Sequence, residues 1–124
     1  MKTECGIYGV IQPNTNIIPD VIEGLHLLQH RGRESAGIAS FSDFQINLHK
    51  SLGLVKDIFS SYQSTSSDIA IGHVRYSTSG VKNTNLSLVQ PLLSSDRQST
   101  KHKFALVYNG NIKHVDRLYK KFGL

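Results

Sequence analysis

Apolar residues in this chain keep two different periods. Short continuous or alternating runs are separated from stretches where they recur every three or four positions, with polar clusters between. Gly6 to Gln12 predicts a strand, closed by the turn-forming cluster Pro13-Asn14-Thr15-Asn16. Pro19 suits the first turn of a helix, where its missing N–H costs nothing. Val21, Ile22, Leu25 and Leu28 fall on one face of that helix, and Gly32 stands where it could cap the far end. Ala36 to Phe41 and Gln45 to Lys50 predict paired strands around Ser42-Asp43-Phe44. Leu54, Val55, Ile58 and Phe59 predict a second, shorter amphipathic helix.

The serine-rich stretch Ser60 to Ser67 reads as a loop. Asp68 to Tyr76 alternates as a strand does, with Ile69, Ile71, His73 and Arg75 on one face and Ala70, Gly72, Val74 and Tyr76 on the other. Ser77 to Leu88 is polar and glycine-punctuated, long enough to be a functional loop. Ser94 to Lys103 is a second polar excursion, after which Phe104 to Tyr108 predicts another strand. Ile112, Val115, Leu118, Tyr119 and Phe122 sit at helical spacing, with Gly123 as the stop. Strands thus come in adjacent pairs with helices between the pairs. That predicts an α+β fold with largely antiparallel pairing rather than a βαβ alternation. The closing helix needs something to cover, and few short strands are available to it.

Composition narrows the class. With 124 residues, 39% hydrophobic and 19% charged, the chain suits one globular domain with a modest core. No apolar run approaches the length of a membrane span, and Met1-Lys2-Thr3-Glu4 lacks the apolar stretch of a secretory signal. A single cysteine allows no internal disulfide, which fits a reducing compartment, the cytosol. The net charge of +5 comes from 14 basic and 9 acidic residues. Apart from Lys113 to Lys121 the basic residues are scattered, and no arginine-rich run or aromatic-basic motif accompanies them. A solvated basic surface therefore accounts for the charge better than nucleic-acid binding does.

Candidate chemistry lies in four places. Cys5, between Glu4 and Gly6, is either a buried small hydrophobe or a thiol that a nearby α-amine could activate. Gln29-His30-Arg31-Gly32-Arg33-Glu34 joins a helix end to a strand, and Arg31 could simply complement the helix C-terminus. Arg75, in the last turn of a strand leading into Tyr76-Ser77-Thr78-Ser79-Gly80, is either a solvated strand end or a fork for a carboxylate or phosphate. Asn109-Gly110 is by default a hairpin turn. Its functional alternative is an oxyanion hole built from an asparagine amide and a glycine N–H. The histidines show no metal-ligand spacing, so no metal is assigned.

Taken together, several segments resemble the glutaminase domain of glutamine amidotransferases with an N-terminal cysteine nucleophile. They are Cys5-Gly6-Ile7-Tyr8-Gly9-Val10, Leu28 to Ile38, Gly53-Leu54-Val55, Gly72-His73-Val74-Arg75-Tyr76-Ser77-Thr78-Ser79-Gly80 and Asn109-Gly110-Asn111. They occur in the family's order and cover nearly the whole chain. Gln29-His30-Arg31-Gly32 and Arg75-Tyr76-Ser77-Thr78-Ser79-Gly80 are similar to the amidophosphoribosyltransferase branch. Arg33 and Tyr108 depart from its pattern, standing where a glutamine and a histidine are usual.

The resemblance implies an N-terminal-nucleophile αββα sandwich, of which this chain holds the first half. It implies that residues 1–4 are a leader and residues 5–124 a partial class II glutamine amidotransferase domain. Removal of Met1 to Glu4 would leave Cys5 with a free α-amine to attack the side-chain amide of glutamine. Arg75 would hold the glutamine carboxylate, Tyr76 and Thr78 would help to close over it, and Arg31 would support the nucleophile. Asn109 and Gly110 would stabilise the oxyanion. The rest of the sandwich, with an Asp that binds the glutamine α-amine, and the phosphoribosyltransferase domain would lie outside this chain. Magnesium is expected only with that domain, and no cofactor is expected here. An isolated half would expose sheet edges and apolar faces, so a partner subunit or self-association is expected. The competing reading is a non-catalytic, regulatory relative that binds a partner subunit.

Overall fold

The computed structural model describes residues 4–76, 85–94, 103–110 and 112–123. Its centre is a four-stranded antiparallel sheet of β1 (Gly6–Ile11), β2 (Ser35–Ser42), β3 (Gln45–Leu52) and β4 (Ile69–Arg75), in the spatial order β1-β4-β2-β3. Helix α1 (Ile18–Leu27) follows β1, and the short α2 (Val55–Ile58) follows β3. A two-stranded ladder of β5 (Leu92–Leu93) and β6 (Ala105–Leu106) lies apart from the main sheet. Helix α3 (Val115–Phe122) ends at Gly123, whose φ of 66° is the left-handed conformation glycine adopts without cost. Among the described residues no helix is long and apolar enough to cross a membrane.

The one pair expected from sequence forms, whereas β4 and β6, neighbours in the predicted order, lie in different sheets. β2 and β3 meet through the two residues Asp43 and Phe44, with φ of 51° and 61°. Positive φ at both centres is the turn that matches the twist of a hairpin. Placing β4 between β1 and β2 aligns Gly6, Val74 and Ala36 across the sheet, then Ile7, His73 and Gly37 one step on. Because side chains alternate, Ala36, Ile38, Ala70 and Val74 share one face, and α1 lies on it with Val21 and Leu25 fully buried. Gly24 and Gly72 let the layers approach closely: a Cβ at Gly72 would stand 2.8 Å from the Leu25 side chain. Burying Leu25 alone is worth about 2 kcal/mol.

The other face is less covered. Lys50 on β3 donates from Nζ to the Val89 and Pro91 carbonyls, holding residues 89–91 against the sheet. Burial there lowers the Lys50 pKa. Beyond that strap Ile7, Ile11, Phe41 and Ile69 stay exposed, around an open cavity of about 440 Å³ lined by Gly9, Ala39 and Ile46 among others.

Three expectations change. Gly32 does not cap α1, which ends four residues earlier around Leu28. Gly32 instead packs on the Arg75 backbone, where any Cβ would meet main-chain atoms at 2.5 to 2.9 Å. The predicted strand Phe104 to Tyr108 shortens to two residues, because the Gln90 side chain takes the Tyr108 backbone groups that a strand would have paired. Asn109-Gly110 makes no hairpin among the described residues. Helix α3 forms as the spacing predicts, with all its apolar residues exposed. Most of the predicted loops 77–88 and 94–103 lies outside the described residues.

Candidate functional site

Cys5 precedes β1 by one residue, and its strand runs antiparallel beside β4. The β1–β4 ladder starts at the Gly6–Val74 pair, so Cys5 and Arg75 lie one step beyond it on neighbouring strand ends. The Cys5 thiol is partly exposed, with Sγ 3.9 Å from the Tyr76 carbonyl. That separation is long even for a sulfur donor, so the thiol is not tightly committed.

The Cys5 main chain is held firmly. Its carbonyl accepts from Arg31 Nε at 3.2 Å and from Asn109 Nδ2 at 3.1 Å. These donors come from 26 and 104 residues away. The Arg31 guanidinium also reaches the Glu4 carboxylate at 3.5 Å, a half-exposed pair worth little in stability. Arg31 therefore faces the cysteine rather than serving only the end of its helix.

Two amide side chains, neither singled out by sequence, fix these donors. Gln29 donates from Nε2 to the Gly32 carbonyl and accepts at Oε1 from the Val55 N–H at 2.7 Å. This braces the corner that carries Arg31 against α2. Gln90 pairs with both backbone groups of Tyr108, donating to its carbonyl at 3.1 Å and accepting from its N–H. That sets Asn109, the next residue. The Tyr108 hydroxyl lies over Gly110, 2.6 Å from where a Cβ would stand.

Arg75 extends from the end of β4. Its Nη1 donates to the Leu88 carbonyl at 3.4 Å, and its Nε stands 3.9 Å from Glu34 Oε2. Backbone contacts join the same partners: the Glu34 N–H donates to the Arg75 carbonyl at 3.1 Å. His73, two residues back on the same face, is fully buried. Burial is the main reason its pKa falls from 6.5 to about 4; the Arg75 charge pushes the same way and the Tyr108 carbonyl opposes it. Neither ring nitrogen makes a well-formed hydrogen bond among the described residues.

Of the residues singled out by sequence, Cys5, Arg31, Tyr76 and Asn109 meet directly, with Gly110 and Arg75 adjoining them. Thr78 lies outside the described residues. Gln29, Glu34, His73 and Gln90 were given no role from sequence. The first three stood inside the motifs that carry the resemblance, and Gln90 had no signal. Among the described residues no group of three or more His, Cys, Asp or Glu side chains gathers as a metal site would.

No family model matches the chain. It is 38% identical to the amidophosphoribosyltransferase of Synechococcus elongatus over 116 residues, which cover 92% of this chain and 22% of that protein. It is 37% identical to that of Lacticaseibacillus casei over 125 residues, 98% of this chain and 61% of that protein. A glutamine phosphoribosylpyrophosphate amidotransferase structure from B. subtilis superposes with a TM-score of 0.69 at 33% identity, covering 97% of this chain and 24% of that one. A structure described as the allosteric regulatory enzyme of purine biosynthesis gives 0.73 at 34%, with the same coverage. The chain spans about a fifth of the length of the first of these relatives. Along nearly all of its own length, this chain is homologous to the N-terminal part of the amidophosphoribosyltransferases.

Proposed function

We propose that this chain supplies the nucleophile end of a glutaminase site, releasing ammonia from glutamine for transfer to phosphoribosyl pyrophosphate in purine synthesis. The observation that supports it best is the convergence of Arg31 and Asn109 on the Cys5 carbonyl, beside the strand end that bears Arg75. Homology with amidophosphoribosyltransferases names the chemistry.

In this reading residues 1–4 are a leader, and its removal gives Cys5 a free α-amine. That amine takes the thiol proton, and the thiolate attacks the glutamine side-chain carbonyl carbon. The tetrahedral intermediate collapses to a thioester as ammonia leaves with the returned proton. Water then hydrolyses the thioester to glutamate. Arg75 binds the substrate carboxylate, while Tyr76 and Thr78 line the closing side. A carboxamide nitrogen has two N–H groups. Asn109 can therefore keep one on the Cys5 carbonyl and offer the other, with the Gly110 N–H, to the oxyanion.

Residues 5–124 would form the first half of an αββα sandwich. The exposed face of Ile7, Ile11, Phe41 and Ile69 fits a second layer supplied by further polypeptide or a partner subunit. Magnesium belongs, in this reading, to the phosphoribosyltransferase region of the longer relatives, and the whole acts in the cytosol. The test is direct. A glutamine analogue with an electrophilic side chain should add its mass to Cys5, and Cys5→Ala should abolish both labelling and ammonia release. A protein that keeps Met1 to Glu4, takes no label and releases no ammonia would sink the reading.

A further inference from the structure

The corner between α1 and β2 holds one shielded charge, Glu34, that the reaction above does not use. Both carboxylate oxygens of Glu34 are shielded from water, and neither has a hydrogen-bond partner among the described residues. A shielded carboxylate needs a compensating charge. That charge is Arg75, with Nε 3.9 Å from Glu34 Oε2. Around this pair the backbone leaves little freedom: the Glu34 N–H holds the Arg75 carbonyl, the Gly53 N–H holds the Glu34 carbonyl at 2.8 Å, and Gly32 packs on the Arg75 main chain.

The placement selects which edge of the guanidinium remains available. A guanidinium presents its donors as a rigid planar fork. With Nε the guanidinium nitrogen nearest Glu34, the Nη1–Nη2 edge carries only one contact among the described residues. Its one partner among the described residues, the Leu88 carbonyl, is a long 3.4 Å contact that a carboxylate would readily replace.

We propose that Glu34 is a positioning residue for Arg75, holding the guanidinium by its inner side so that the outer edge meets the substrate carboxylate. The inference rests on the reading of Arg75 as the grip for glutamine. Two effects oppose each other when Glu34 is neutralised. Repulsion between Glu34 and the ligand carboxylate is relieved, but Arg75 loses the partner that orients it. Orientation dominates, because the guanidinium lies between the two carboxylates and screens them, whereas a bidentate contact depends on the angle of the fork.

The experiment compares wild type, Glu34→Gln and Glu34→Asp in the full protein. In Glu34→Gln the KM for glutamine should rise about tenfold at nearly unchanged kcat, the size of one lost charge-assisted contact. Its kcat/KM for glutamine α-amide, which lacks the carboxylate, should stay at the low wild-type value. Glu34→Asp should fall between. An unchanged or lower KM, or an equal loss on both substrates, overturns the proposal. The Arg75 Nε–H resonance, assigned with Arg75→Lys, gives a second reading without catalysis. Its chemical shift should respond to the neighbouring charge, moving in Glu34→Gln and less so in Glu34→Asp. An identical shift in all three overturns the pairing even if the protein hydrolyses no glutamine. Absent hydrolysis in wild type with the resonance behaving as stated would instead count against the glutaminase reading alone.

Discussion

At the scale of single residues, His73 shows how burial converts a titratable group into a pH sensor of stability. Its pKa is about 4 in the fold against 6.5 when exposed. Between those values the unfolded chain binds the proton and the folded chain does not, so stability falls as pH drops from about 6.5 to 4 and then levels off. The loss at full development is about 3 kcal/mol. Urea midpoints measured from pH 7 to pH 4 should follow that course, and His73→Gln should flatten it; an unaltered slope in the variant would refute the assignment. Arg75 yields a second expectation. Arg75→Ala should weaken glutamine binding by about 2–4 kcal/mol, the cost of losing a charge-assisted fork. Substrate saturation curves would expose an error if turnover fell and apparent affinity did not. Cys5 and Arg75 were legible in sequence because each stands at the end of a readable strand. Gln29 and Gln90 were not. Gln29 stood in a readable motif but nothing local assigned its amide a task, and Gln90 has no pattern that marks it; both act by bridging segments distant in sequence.

At the scale of elements, the alternating and helical periods carried most of the information. Both hairpin strands, the Pro19 helix and the helix at 115–122 follow from them, because local burial decides those segments. The reading of Gly32 as a helix cap failed for a tertiary reason: what it accommodates is the Arg75 backbone. Gly32→Ala should therefore cost about 1–3 kcal/mol by overpacking, and the shift should reach Arg75 and raise the KM for glutamine. Thermal melts together with substrate saturation check both parts. The β2–β3 turn offers the opposite case. Phe44 holds φ 61° while 96% exposed, so its ring gains little from packing and its backbone sits where glycine fits better. Phe44→Gly should stabilise the hairpin by about 1 kcal/mol. A lower melting temperature in that variant would contradict the turn geometry.

At the scale of the whole molecule, one side of the sheet is finished and the other is open. α1 seals the first face, whereas Ile11, 75% exposed, and its neighbours leave the second face apolar beside the cavity. A contiguous apolar patch of this kind binds hydrophobic dyes and associates. The 124-residue chain on its own should bind such a dye, and Ile11→Lys with Ile69→Lys should reduce that binding while leaving the α1 side intact. Dye fluorescence unaffected by the pair would point to another surface. The sequence indicated few strands for its closing helix to cover, and the apolar residues of α3 are indeed exposed. It could not say which face would stay bare, since that depends on the order in which strands line up.

The corner from Gln29 to Glu34 is a connection by position, yet it behaves as a ruler. One end touches the Cys5 carbonyl through Arg31, and the other fixes Arg75 through Glu34 and Gly32. Connections elsewhere on a surface absorb inserted residues with small entropic cost. Here one added residue would change the spacing between Cys5 and Arg75, so the segment should tolerate changes of side chain at Arg33 and none of length.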